Sequence, residues 1–197
     1  MTNITLINGH PNSNSLNTTI AEKYIQHAKQ LNVEVRYIAI GQLDFNPNLM
    51  YGYQQRMELE PDLLRALEDI KWADHLVWIH PLWWTGMPAI MKGFFDRAFL
   101  PNITFTHKNG ILSKGLLEHK TARIITTAGD LSLDVYKNEY ADAGLVQLEK
   151  SILNYCGVSP ILNTFLGPLN HMTEQEIRAF INTIPSIVEK DLTLLVN

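Results

Sequence analysis

The run His80-Pro81-Leu82-Trp83-Trp84-Thr85-Gly86-Met87-Pro88 sets two indole rings between prolines, directly after an apolar stretch. A ligand with a large planar ring would use such a segment well, gaining apolar contact from Leu82 and Trp84 and hydrogen bonds from nearby backbone N–H groups. Gly86 is expected to permit the tight turn that presents those groups. The other reading is that the aromatics close the core over a sheet, and the residues alone leave both open.

Two further segments carry chemistry. Asn8-Gly9-His10-Pro11 precedes a polar loop in which Ser13, Ser15 and Asn17 offer donors beside the amides of a predicted helix start, where an anion is favoured. Gly9 is expected to let the backbone approach a ligand closely. An ordinary polar connection with Ser15 as helix cap fits the same residues. Thr126-Thr127-Ala128-Gly129-Asp130 ends another apolar run in small residues, which suits a ring or ribityl chain near the backbone or a turn before a helix. Tyr136 and Tyr140 follow as candidate pocket walls or hydroxyl donors.

Several chemistries lack their residues. No glycine-rich loop ends in Gly-Lys-Ser/Thr and no Gly-x-Gly-x-x-Gly follows the first strand, which counts against a nucleoside triphosphatase and a standard dinucleotide fold. The phosphate of a flavin mononucleotide stays compatible, since it needs donors and a helix N-terminus without a bracketing lysine. His10, His75, His80, His107 and His119 show no metal-ligand spacing, so no metal is expected. No Gly-x-Ser-x-Gly elbow is present. Cys156, beside Gly157, reads as a buried structural thiol at a helix end, and Asp96-Arg97 reads as a surface pair or a loop anchor.

The elements that must position these loops follow from periodicity. Ile4 to Ile7, Val33 to Ile40, His75 to His80, Thr121 to Thr127 and Val158 to Leu166 read as strands. Helical spacing runs over Leu16 to Leu31, Gln54 to Trp72, Pro88 to Leu100 and Asp142 to Tyr155. Thr173-x-x-Glu176 caps a last helix that Pro185 is expected to interrupt or kink, and Pro101 to Leu117 reads as irregular. Alternation of this kind predicts one α/β domain over residues 1–197, a three-layer sandwich around a five-stranded parallel sheet. In such a sheet ligands bind beyond the carboxyl ends of the strands, so the three loops converge on one site.

Composition agrees with a globular enzyme-sized domain: 197 residues, 46% hydrophobic and 18% charged. Sixteen Lys and Arg against twenty Asp and Glu leave a net charge of −4 without a basic cluster, so nucleic acid is not an expected partner. One cysteine, no signal-like N-terminus and an uncharged run, Leu76 to Met91, too broken to span a membrane point to a cytoplasmic protein.

The segment Pro81-Leu82-Trp83-Trp84-Thr85-Gly86-Met87-Pro88-Ala89-Ile90-Met91-Lys92-Gly93-Phe94-Phe95-Asp96-Arg97-Ala98-Phe99 resembles the signature of the NAD(P)H:quinone oxidoreductase family with a flavodoxin-like fold. This group includes small bacterial quinone reductases and potassium-efflux ancillary proteins. Asn8-Gly9-His10-Pro11 with Ser15-Leu16-Asn17, and Thr126-Thr127-Ala128-Gly129, resemble its other two loops. The resemblance implies FMN as cofactor, with FAD as the alternative, and NAD(P)H as co-substrate. His10, Ser15, Leu16 and Asn17 are implied at the flavin phosphate or ribityl chain. Pro81, Leu82, Trp83, Trp84 and Thr85, with Thr126, Thr127 and Gly129, are implied at the ribityl chain and ring.

The same resemblance places Phe105 and His107 over the flavin of a second subunit, hence a homodimer, and makes a quinone or related planar compound the acceptor. Larger members use a Tyr and a His after the fourth strand, whereas Asp130 to Tyr140 holds tyrosines and no histidine; Tyr136 is expected ahead of Tyr140 to bring a hydroxyl to flavin and substrate. The absence of a long C-terminal region like that of the FAD members is the basis for expecting FMN. Alternative functions are a regulatory flavoprotein subunit of a membrane potassium-efflux transporter and an electron-transfer flavoprotein.

Overall fold

The computed structural model describes residues 2–108 and 112–195. Its main sheet contains β1 (Asn3–Asn8), β2 (Glu34–Ala39), β3 (His75–Pro81), β6 (Thr121–Thr127) and β7 (Ile161–Leu166), all parallel in the order β2-β1-β3-β6-β7. Every residue of β3 and β6 is buried, as expected for central strands covered on both faces. The chain passes outward from β1 to β2, then returns across β1 to β3. That reversal opens a crevice at the carboxyl ends of β1 and β3.

Two apolar layers cover the sheet. On one face α1 (Leu16–Gln30) and α6 (Glu174–Thr193) pack Ile20, Tyr24, Ile184 and Val188 against Ile4, Leu6, Val77 and Ile125. On the other, α2 (Pro61–Trp72), α3 (Ala89–Ala98) and the helical run Ala143 to Asn154 enclose Trp78. The Trp78 ring lies 4.9 Å from Phe95 and 6.4 Å from Phe94, between centroids. α3 therefore seats the residues that follow Pro88 on the sheet, and the end of the Pro81–Pro88 loop is fixed by this aromatic packing.

Four features differ from the sequence expectation. Within Pro101 to Leu117 lies an antiparallel hairpin of β4 (Phe105–Lys108) and β5 (Leu112–Gly115). Four-residue strands are too short to announce a period, and a tertiary contact holds them: a Cβ on Gly115 would stand 2.2 Å from the Cys156 carbonyl carbon. Second, Tyr136 and Tyr140 lie on a helix where no helical spacing was read, α4 (Leu133–Tyr140), with the Ser132 side chain accepting from the Val135 N–H. Left-handed Ala141 and Asp142 separate it from α5 (Ala143–Val146), which continues into a π-helical run over Gln147–Asn154.

Third, α6 passes through Pro185 uninterrupted. Its start is fixed by the predicted capping box, in which the Thr173 N–H donates to Glu176 Oε2 at 2.7 Å. Ile184 and Val188 bury its apolar side, and Asp191 ties its far end to the sheet, so tertiary contacts offset the missing backbone hydrogen bond. Fourth, the helix expected over Gln54 to Trp72 starts only at Pro61, while the loop-anchor reading holds for Arg97. Asp96 pairs with Lys92, while buried Arg97 binds Glu60 and the Asn46 and Glu58 carbonyls, anchoring the irregular segment 43–60.

Candidate active site

A cleft of about 640 Å³ opens at the carboxyl ends of β1, β3 and β6. Three loops build it. After β1, the chain turns through His10, whose Nδ1 accepts the Asn12 N–H at 3.0 Å and whose ring meets Trp83 edge-on at 5.7 Å. The Ser15 side chain caps α1 by accepting from the Thr18 N–H, leaving the Leu16 and Asn17 amides at the open end of the helix. No acidic residue stands in the first turn of α1. Among the described residues the lining has one carboxylate, Asp130, and no Lys or Arg, so an anion here is recognised by amides and neutral side chains.

Asn17 carries the clearest ligand signal. Its side chain is buried, Oδ1 accepts from Thr127 Oγ1 at 3.0 Å, and Nδ2 has no partner in the structure. A buried amide donor left unpaired is costly, and one on a cleft wall is a place for an acceptor on a ligand. The second loop is tied down by the Leu82 N–H, which donates to the Thr127 carbonyl at 2.7 Å and joins the Pro81–Thr85 wall to the Thr127–Asp130 wall. Behind them His80 is fully buried; its Nδ1 lies 2.9 Å from the Pro81 carbonyl, and burial pushes its pKa down to about 4, so it is neutral at physiological pH.

The cleft gathers His10, Ser15, Leu16, Asn17, Pro81, Leu82, Trp83, Trp84, Thr85, Thr127, Gly129 and Tyr140 from the sequence candidates. It leaves out Thr126, which points the other way along the strand and sets its hydroxyl 3.5 Å from His80 Nε2. It also leaves out Tyr136: that ring is buried against Phe165, and its hydroxyl donates to the Thr85 carbonyl at 3.1 Å and accepts the Leu145 N–H at 3.0 Å. Of the two tyrosines, Tyr140 lines the cleft and Tyr136 stands behind its wall.

Phe105 lies away from this cleft, in a separate groove of about 540 Å³, with its ring 5.1 Å from that of Tyr155. The His107 side chain lies outside the described residues. The sequence reading missed Leu169, delivered by the turn after β7. Extending the rule about carboxyl ends to the last strand would have found it.

A family described by its flavodoxin-like fold matches residues 2–184. The chain belongs to this family. A Haemophilus influenzae protein named "Uncharacterized NAD(P)H oxidoreductase" is 29% identical over 195 residues, 96% of each chain. An "FMN-dependent NADH:quinone oxidoreductase" of Alteromonas mediterranea is 32% identical over 124 residues, covering 62% of this chain and 58% of that protein. A crystal structure from Streptococcus mutans superposes with a TM-score of 0.81 at 28% identity, covering 95% of this chain and 99% of the other.

In this flavodoxin-like domain the two glycines singled out from the sequence lie at close backbone contacts. A Cβ on Gly9 would sit 2.4 Å from Met91 Sδ, so Gly9 lets the end of β1 pack on α3. Gly86 has no left-handed backbone. Those conformations fall on Trp84 and Thr85, at φ 51° and 60°, between the reciprocal Trp83–Gly86 backbone hydrogen bonds of 2.9 and 3.0 Å. Two positive-φ residues in a two-residue turn match the primed hairpin type, which costs non-glycine residues roughly 1–2 kcal/mol each. The turn holds the Trp84 side chain fully in solvent at the mouth of the cleft.

Proposed function

We propose that this chain is a flavin-dependent NAD(P)H oxidoreductase that passes two electrons from a nicotinamide donor, through bound FMN, to a quinone or related planar acceptor. The observation that carries the reading is the buried, unpaired Asn17 Nδ2 on a cleft wall that also includes the open end of α1. The donor set fits FMN: amides and neutral side chains on one side suit a phosphate and ribityl chain, and Leu82, Trp83 and Trp84 on the other suit a flat ring. Relatives named for NAD(P)H, FMN and quinone chemistry support the same assignment.

Bound FMN supplies the hydride chemistry of such an enzyme. The chain's own residues bind and orient. His10, Ser15, Leu16 and Asn17 hold the phosphate and ribityl end, while Pro81 to Thr85, Thr127 and Gly129 bound the ring and keep donor and acceptor in one orientation. Tyr140 is the tyrosine whose side chain reaches the cleft. The groove around Phe105 and Tyr155, with its exposed aromatic edges, supports a homodimer in which Phe105 serves the second subunit's cleft. A cytoplasmic location is favoured by the single cysteine, whose burial pushes its thiol pKa up to about 11 and keeps it inert.

Anaerobic titration of the purified protein with NADH and with NADPH in the presence of FMN, followed by 2-methyl-1,4-naphthoquinone, tests donor, cofactor and acceptor in turn. Bleaching of the flavin band by either nucleotide and its return on adding the quinone is the expected result. Failure to bind FMN or FAD rejects the proposal. A flavin that only a separate reductase can reduce makes the chain an electron carrier.

A further inference from the structure

The Trp84–Thr85 turn is held in an unfavourable backbone conformation by contacts that come from outside it. A β-branched residue at φ 60° is a true outlier, and Thr85 is one. Its carbonyl receives the Tyr136 hydroxyl at 3.1 Å. On the same side, a Cβ on Gly144 would lie 2.3 Å from the Thr85 oxygen and 2.7 Å from Gly86 Cα, so the start of α5 is pressed against the turn as closely as a glycine allows. The Tyr136 hydroxyl also accepts the Leu145 N–H, which locks α5 to the same side chain. Tyr136 itself is fixed by burial and by stacking on Phe165 at 5.8 Å.

We propose that Tyr136 is a positioning residue: its hydroxyl clamps the Trp84–Thr85 turn to α5 and so sets the Trp84 indole, one face toward the flavin ring and its edge toward the acceptor, so that with flavin bound acceptor binding, and not hydride transfer, is the step it governs. The clamp stands on contacts within this chain. Its consequence for the acceptor rests on the oxidoreductase reading given above.

Amide hydrogen exchange tests the clamp without any reaction, because the Trp83 and Gly86 amides are the two donors across the turn. In Tyr136→Phe their exchange is expected to rise about tenfold, while amides of Leu76 and Ile125 in the sheet keep their wild-type rates. Adding Thr85→Gly should bring the Trp83 and Gly86 rates back toward wild type, since glycine takes the left-handed conformation without a clamp. Gly144→Ala, which pushes α5 off the turn, should reproduce the Tyr136→Phe pattern.

Wild-type exchange at Trp83 and Gly86 in Tyr136→Phe overturns the clamp. So does acceleration that is equal throughout the sheet, or a double variant with no recovery. In the steady state, the KM for 2-methyl-1,4-naphthoquinone should rise about fivefold in Tyr136→Phe with kcat within about twofold of wild type. A loosened turn with unchanged KM rejects the acceptor role, and a selective fall in kcat returns the hydroxyl to hydride transfer. Were the protein to bind no flavin, the oxidoreductase reading would fail and the exchange measurement would still decide the clamp.

Discussion

Trp84→Ala separates a ligand-facing aromatic from a structural one. The side chain is 100% exposed, so in the flavin-free protein its removal takes away no buried area. Surface changes of this kind stay within about 0.5 kcal/mol, which for a domain of this length is a Tm change of no more than about 2 °C. A ring laid against one face of the indole would cover about 80 Å², worth about 2 kcal/mol at 25 cal/mol per Å². That corresponds to about a thirtyfold weaker Kd.

The measurement is paired: thermal unfolding of the flavin-free protein, and FMN binding followed by quenching of flavin fluorescence. Trp78→Ala is the contrast, because Trp78 is fully buried among Phe94, Phe95 and Phe99, and deleting it should cost about 3–5 kcal/mol of stability. An unchanged FMN Kd in Trp84→Ala, or a fall of many degrees in its Tm, would refute the reasoning.

Asn17→Asp keeps the acceptor for Thr127 and replaces the unpaired amide donor with an anion, so FMN affinity should fall by about tenfold or more; equal affinity by isothermal titration rejects the ligand assignment of Nδ2. Asp191→Asn leaves Arg123 buried without a counter-charge and should cost about 3–5 kcal/mol in urea unfolding; a loss below 1 kcal/mol would contradict it. His80 titrates near 4 when folded and near 6.5 when unfolded, because burial disfavours its charged form. The unfolded chain thus binds more protons between those values, and stability should fall by about 3 kcal/mol as pH drops from 6.5 to 4. His80→Phe should remove that part of the slope, and an unchanged slope by urea unfolding at stepped pH argues against a neutral buried imidazole.

What the sequence disclosed divides along physical lines. The five parallel strands were legible because β3 carries the apolar run Leu76 to Ile79, β6 sets Ile124 and Ile125 among β-branched threonines, and the helices between them keep a 3.6-residue stripe. The three loops were legible because parallel strands must open their ligand edge at one end. The β4–β5 hairpin was hidden, since its stability comes from Gly115 packing on Cys156, a contact between distant parts of the chain. The backbone strain at Trp84 and Thr85 was hidden for a similar reason. Glycine was the natural candidate for positive φ, yet contacts from Tyr136 and α5 impose it on the two residues before.

The same logic explains where the fold keeps its charges. Arg123 and Asp191 form a buried ion pair with the Tyr24 hydroxyl on Asp191 Oδ2 at 3.0 Å and His75 Nε2 at 3.5 Å, and His75 and Thr121 are the first residues of β3 and β6. The cleft residues Pro81 and Thr127 are the last residues of those strands. Arg123, which holds Asp191, lies four steps before Thr127, so about 13 Å of strand separates the ion pair from the cleft. The ionic network therefore fastens α1 and α6 to the sheet away from the cleft, and the cleft end can carry an unpaired amide, a neutral histidine and a strained turn. It follows that Asp191→Asn should lower the unfolding temperature while leaving the FMN Kd within about twofold, because sites this far apart with no shared partner contribute independently. A large loss of affinity in the folded variant would mean that α1, gripped by Tyr24 near its middle and open to the cleft at its start, transmits strain between them.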